Sequence, residues 1–128
     1  MIIKPENEIS SIVLNLSIKI HRDLGPGLLE SVYHKILYKE LIKAGFNTTF
    51  EEIIPVEYDG EIYEFGYRAD LIIENKVIVE LKSVEDLASV HFKQLLTYLR
   101  IKKCKLGLLI NFNEELLKDG FHRVVNGL

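Results

Sequence analysis

Residues 68–82 read RADLIIENKVIVELK, and the fold turns on how this stretch is read. Two apolar runs flank a polar Glu74-Asn75-Lys76, the pattern of a strand, a turn and a returning strand. Side chains alternate between faces along a strand. With the turn over residues 74–76, Asp70 stands opposite Glu80 and Ile72 opposite Ile78. The odd positions Leu71, Ile73, Val77, Val79 and Leu81 then form one wholly apolar face, which must be covered. The even positions give Ile72 and Ile78 near the turn, then Asp70 and Glu80, then Arg68 and Lys82. This second face is apolar near the turn and ionic away from it. A helix over its apolar half would leave the ionic half at the edge of a cleft.

Directly opposed residues have Cβ atoms roughly 4.5–5.5 Å apart, and like charges placed so are destabilising. At ~5 Å and an effective dielectric constant of ~20 the bare repulsion is on the order of 3 kcal/mol. Lys82 supplies one compensating charge. A divalent cation would supply more, and carboxylate oxygens are the ligands that Mg²⁺ or Mn²⁺ prefers. Simple pairing of Arg68 and Lys82 with the two acids on a solvated strand face accounts for the same pattern without any ligand.

Working outward, apolar residues at 9, 12, 13, 16 and 20 predict a helix over Ile9–Ile20, stopped by Gly25-Pro26-Gly27. A second helix is expected over 28–44, closed by Gly45, with Leu29, Tyr33, Ile36, Leu37 and Leu41 as its apolar stripe. Residues 48–58 are β-like, Asp59-Gly60 is a turn signal, and 61–65 resume as a strand. After the hairpin, 87–101 return to helical spacing through Phe92, Leu95, Leu96 and Leu99. A buried strand is expected over 105–112, a turn or short helix over 114–118, and a last strand over 121–125. The order is that of an α/β domain spanning 1–128, with one central mixed β-sheet flanked by helices.

Composition narrows the function classes. The 128 residues carry a formal charge of −3, which argues against a broad basic nucleic-acid-binding surface, although Lys102, Lys103 and Lys105 cluster locally. Cys104 is the single cysteine, so no internal disulfide forms, and a reducing cytosol is the expected setting. The opening MIIKPENEIS has no apolar run of secretory-signal length, and runs such as LGLLI are too short to cross a bilayer. The four histidines make no zinc motif with Cys104.

Other polar residues sit where apolar ones would be expected. Glu30 projects between Leu37 and Leu41 within the stripe of the second helix. There it needs a partner, a metal or a proton. As an acid in the first turn it is also favoured by the helix dipole. Glu40 lies in the same stripe without that support. On the third helix His91, Gln94 and Tyr98 share one line. They offer neutral hydrogen bonds to a lysine, a water or a phosphate, or else form an ordinary polar edge.

Asp70 followed by Glu80-Leu81-Lys82 resembles the signature of the PD-(D/E)XK nuclease superfamily, and Gln94-Leu-Leu-Thr-Tyr98 resembles the Q-x-x-x-Y element of its exonuclease branch. More closely, the chain resembles the small GxxExxY proteins, through Gly27-Leu-Leu-Glu30-Ser-Val-Tyr33 and a similarity running from about residue 12 to 125. Ala69 stands where the superfamily label has proline, a position that carries no chemistry. The resemblance implies a restriction-endonuclease-like fold and hydrolysis of phosphodiester bonds in DNA, with RNA as the second candidate. It implies Mg²⁺, or Mn²⁺ in its place, on Asp70, Glu80 and the Leu81 carbonyl, with Glu30 acting directly or through water. Lys82 would act on the attacking water, and Gln94 and Tyr98 would support Lys82 or the phosphate. A second copy or a partner protein would supply substrate affinity that an acidic chain lacks. The rival reading is a non-catalytic nucleic-acid- or protein-binding module that keeps the same fold.

Overall fold

The computed structural model describes residues 4–64 and 67–128. Two helices come first, α1 (Glu6–Leu24) and α2 (Glu30–Lys43). The strands β1 (Thr48–Ile53), β2 (Val56–Tyr58), β3 (Glu61–Tyr63), β4 (Arg68–Ile73) and β5 (Val77–Lys82) follow. Helix α3 (Ser89–Lys102) leads to β6 (Leu106–Asn111), a 3₁₀ turn (Leu117–Gly120) and β7 (Phe121–Val125). Five strands form a mixed sheet in the order β1-β4-β5-β6-β7, and β2 pairs with β3 apart from it. Among the described residues only β5 and β6 run parallel, because α3 carries the chain back across the sheet between them.

The hairpin has the expected register: Leu71 pairs with Val79, Ile72 with Ile78 and Ile73 with Val77. Its odd face joins a core with Ile9, Val13, Tyr33, Leu37 and Leu41, so α1 and α2 cover that side. Its even face joins Leu95 and Leu99 of α3 on the other side. Covered on both faces, β6 reads as an unbroken buried run, LGLLIN. Gly107 lets α3 approach the sheet: a Cβ there would lie 2.8–2.9 Å from three side-chain carbons of Leu95.

Several boundaries differ from the expectation, each for a local reason. Helix α1 starts at Glu6 rather than Ile9. Its first turn is polar and so silent in hydrophobic periodicity, but Glu6 and Glu8 suit the positive end of the helix dipole. The expected strand over 48–58 breaks at Pro55, which cannot donate to a ladder. Val56–Tyr58 instead turns at Asp59 (φ 51°) and Gly60 (φ 79°) onto Glu61–Tyr63, a two-residue connection with both φ values positive, as a type I′ turn requires. Phe65, the last residue expected in that strand, lies outside the described residues. Leu29 leaves the apolar stripe, since it precedes α2 and is 75% exposed, so the buried face begins at Tyr33. Glu40 reaches Lys43 one turn on, at 3.8 Å.

The close contact over Gly107 yields a test. Gly107→Ala should destabilise the protein by about 1–3 kcal/mol through overpacking. Combined with Leu95→Ala it should cost less than the sum of the two changes, because the smaller side chain vacates the space. Chemical denaturation of the four proteins in the cycle checks this, and strict additivity would place the helix further from the sheet than described.

Candidate active site

Asp70 and Glu80 lie where the hairpin ladder stops. Backbone pairing of β4 with β5 ends at Leu71 and Val79. Beyond it the Asp70 N–H donates to Glu80 Oε2 (2.9 Å), and the Leu81 N–H donates to Asp70 Oδ2 (2.8 Å). Each carboxylate thus satisfies an amide of the opposite strand that the ladder leaves free. One oxygen of each carboxylate is committed in this way. Strand β5 stays paired with β6 to its end, Glu80 with Leu109 and Lys82 with Asn111, so β4 and not β6 gives way.

Both acids are uncomfortable in this position. Burial, and next the charge of Asp70, push the Glu80 carboxyl up to about 8. Burial also raises Asp70, while the Leu81 amide and the nearby His34 and Lys82 work against the rise. Glu30, the first residue of α2, is raised by burial, with Lys82 opposing and Asp70 adding to the shift. Glu30, Asp70, Glu80 and Lys82 therefore share one electrostatic neighbourhood at the end of the sheet. Lys82 forms no ion pair among the described residues.

Two buried polar residues that sequence pattern did not single out, His34 and Asn111, hold this arrangement, and the half-buried Tyr67 packs beside it. His34, one turn beyond Glu30, donates from Nε2 to the Asp70 carbonyl (2.8 Å) and stacks on Phe50. Asn111 is fully buried beside Lys82. Its Oδ1 accepts from the amides of Val84 and Asn113, and its Nδ2 donates to the Val84 carbonyl, which clamps the chain just after Lys82. Tyr67 stacks nearly parallel on Tyr98, and its buried hydroxyl lies near Glu80 without a hydrogen bond of ordinary geometry. Burial first and Glu80 second raise the pKa of both tyrosines. An asparagine closing an otherwise apolar strand was the one available hint to Asn111.

The loop before Glu30 is equally constrained. The Tyr33 hydroxyl donates to the Gly25 carbonyl (2.6 Å) and accepts from the Leu28 amide (3.2 Å), while its ring stacks on Phe112. Ser83 Oγ donates to the Leu28 carbonyl (2.8 Å), tying the same loop to the residue after Lys82. Gly27, at φ 97°, takes a turn that other residues resist.

On α3 the expected line divides. His91 Nδ1 accepts from the Ala88 amide and caps the helix. Tyr98 lies close enough to Glu80 to feel its charge. Gln94 is exposed and makes no side-chain hydrogen bond among the described residues.

A family model described as the PD-(D/E)XK nuclease superfamily matches residues 7–124. The chain belongs to that superfamily. Its mixed five-stranded sheet flanked by three helices is consistent with the restriction-endonuclease-like fold of PD-(D/E)XK proteins. No curated protein matches the sequence. Three solved chains do; one, SSO0001, is 21% identical over 94% of this chain and 79% of that one, with a TM-score of 0.46. No helix among the described residues is long and apolar enough to cross a membrane.

PD-(D/E)XK nucleases generally use divalent metal ions, and the donor set can be tested against that need. Among the described residues no three His, Cys, Asp or Glu side chains converge into a ready-made cage. What the site offers is one uncommitted oxygen on each of two raised carboxylates, with Glu30 further out. That fits a hydrated divalent cation bound through one or two carboxylates better than it fits an ion that needs an all-protein shell.

The crowding of Asp70 and Glu80 sets a pH dependence. Glu80 ionises near 4.5 when unperturbed and near 8 in the folded chain, so its protonated form favours folding. That contribution is complete below about pH 4.5 and disappears as pH rises through about 8. The metal-free protein should therefore lose stability across this window, whereas Glu80→Gln should flatten the curve and melt higher than the parent at its alkaline end. Melting curves in EDTA from pH 5 to 9 decide it, and parallel curves would mean that the Glu80 pKa is not raised by folding.

Proposed function

We propose that the chain is a metal-dependent nuclease of the GxxExxY type, formed by one domain, acting on DNA in the cytosol with Mg²⁺ as its ion. The observation that carries this reading is the interrupted ladder. Two half-buried carboxylates stand side by side with Lys82 next to them, an arrangement that costs stability unless a cation offsets it.

Asp70, Glu80 and the Leu81 carbonyl would hold the ion, with Glu30 reaching it through water. When bound, a divalent cation supplies polarisation of a phosphoryl oxygen and acidification of a coordinated water. Lys82, without an ion pair among the described residues and close to both acids, would orient the attacking water and steady the charge that develops on the phosphate. Tyr98 stacks on Tyr67 and limits water around Glu80, while Gln94, on the open side of α3, would meet substrate rather than the carboxylates. Attack on phosphorus would leave a 5′-phosphate. The formal charge of −3 favours a second copy or a partner protein as a further source of DNA affinity. The exposure of Gln94, which makes no side-chain hydrogen bond among the described residues, is what favours the rival reading of a binding module without turnover.

The two readings part at Lys82. For a nuclease, Lys82→Ala should lower cleavage of labelled DNA in Mn²⁺ by about 10²–10⁴-fold, as loss of a group that manages the water's proton does. Metal should still raise the melting temperature of the variant, since an ammonium is no ligand. Undiminished cleavage by the variant would sink the mechanism. A parent that binds DNA but never cuts it would establish the binding module.

The loop contacts predict a separable effect. Tyr33→Phe keeps the stack on Phe112 but frees Gly25 and Leu28, so it should cost about 1–2 kcal/mol of stability. It should also lower turnover by releasing Glu30. A variant of reduced stability with full turnover would show that the loop does not position Glu30.

A further inference from the structure

Beside the carboxylates, a groove of about 490 Å³ runs between α2 and the edge strand β1, lined among others by Ser31, His34, Lys35, Lys39, Phe50 and Glu51. His34 joins it to the candidate active site, since the same ring that lines the groove is bonded to the Asp70 carbonyl. Lys35 and Lys39 are exposed, and neither forms an ion pair among the described residues. Four residues apart on a helix, they rise about 6 Å along one side of it. That separation resembles the step between neighbouring phosphates of an extended strand.

The other segments that leave this end of the sheet carry the opposite charge. The chain after Lys82 exposes Glu85 and Asp86. The β2–β3 hairpin, which joins β1 to β4, exposes Glu57, Asp59, Glu61 and Glu64. A polyanion approaching Asp70 and Glu80 is repelled on those sides and attracted along α2. Within the groove Glu51 is the exception. It stands opposite Asp70 at φ 53°, and its charge adds to the rise in the Asp70 pKa. It marks where the lysine wall ends and the cation-requiring site begins.

We propose that this groove seats the phosphate backbone of the strand to be cut, with Lys35 and Lys39 each meeting a phosphate. The inference rests on the nuclease reading for its substrate class, but it is tested by binding. Short labelled single-stranded DNA, single-stranded RNA and duplex DNA are titrated with the full chain in EDTA at several salt concentrations, followed by fluorescence anisotropy. For single strands, Lys35→Ala with Lys39→Ala should weaken binding about tenfold and lower the slope of log Kd against log salt by ~1.4, the loss of two phosphate contacts. The three arms show which form of the backbone the groove accepts. Lys105→Ala, at the opposite end of β6, should leave affinity and slope unchanged. With Mn²⁺, the double variant should show a raised KM and an unaltered kcat.

Weakened binding in the double variant, with a parent that never cuts, keeps the groove and removes the nuclease. A parent that cuts, with a double variant matching it in affinity and slope, overturns the groove alone, as would a groove that takes an acidic protein segment instead. Equal weakening by Lys105→Ala reduces the effect to overall charge and overturns the assignment. A parent that binds none of the three overturns the groove, and cleavage in Mn²⁺ then decides the nuclease reading separately.

Discussion

The replacement of two backbone carbonyl acceptors by two carboxylates between β4 and β5 is the constraint on which the rest of the structure depends. An antiparallel ladder carried past Leu71 and Val79 would satisfy both strands with their own peptide groups. Here the Asp70 and Leu81 amides bond to side chains instead. Each such bond has an ionisable acceptor and is stronger than a peptide–peptide bond, but it brings a carboxylate out of water. The strand ends are therefore held from outside the hairpin. His34 fixes the Asp70 carbonyl from α2, and Asn111 fixes the residues after Lys82 from β6. Removing either would leave buried polar groups without partners, a cost usually larger than the value of the bond itself.

The same constraint explains why the segment from Gly25 to Tyr33 has its composition. Glu30 must arrive at the sheet end from a helix packed on the opposite face from α3. The chain makes this approach through a tight loop rather than through a longer α1. Gly27 permits the turn, and the buried Tyr33 ring anchors the loop to Phe112. Ser83 then links that loop to the strand that carries Lys82. Glycine, acid and tyrosine at these spacings serve three different needs: backbone freedom, charge, and a hydroxyl that both donates and accepts.

Much of the architecture was legible in the sequence because it rests on local periodicity. A two-residue alternation with a compact polar turn admits one register for the 70–80 hairpin, and that register assigns every side chain to a face. The juxtaposition of Asp70 with Glu80 follows from it. The broken ladder does not, since alternation is the same whether the strands pair by peptide groups or by carboxylates. His34, Asn111 and Tyr67 were also hidden. Their contacts join positions distant along the chain, His34 with Asp70 and Asn111 with Val84, and no spacing rule links such pairs. Leu29 illustrates the converse error. Helical spacing alone puts it in the stripe, but the helix starts one residue later, and the stripe loses its first member.

The distribution of charge then gives the site its direction. The raised pKa values at Glu30, Asp70 and Glu80 come first from burial and then from neighbouring acids, and Lys82 opposes the rise at all three. A group held against its solvation preference relaxes by taking up protons or by gathering a cation, and binding the cation releases the protons. A polyanionic substrate would be repelled from the bare site, so the basic wall of α2 and the acidic centre have to act in sequence in space. On the proposed reading the lysines would hold phosphate outside the carboxylates, and the reacting phosphate would enter only where a cation had reversed the local sign. That division places the positive residues on the exposed face of α2 and keeps them away from the pair they would otherwise neutralise, because a lysine bonded directly to Asp70 or Glu80 would occupy the oxygen that the cation needs.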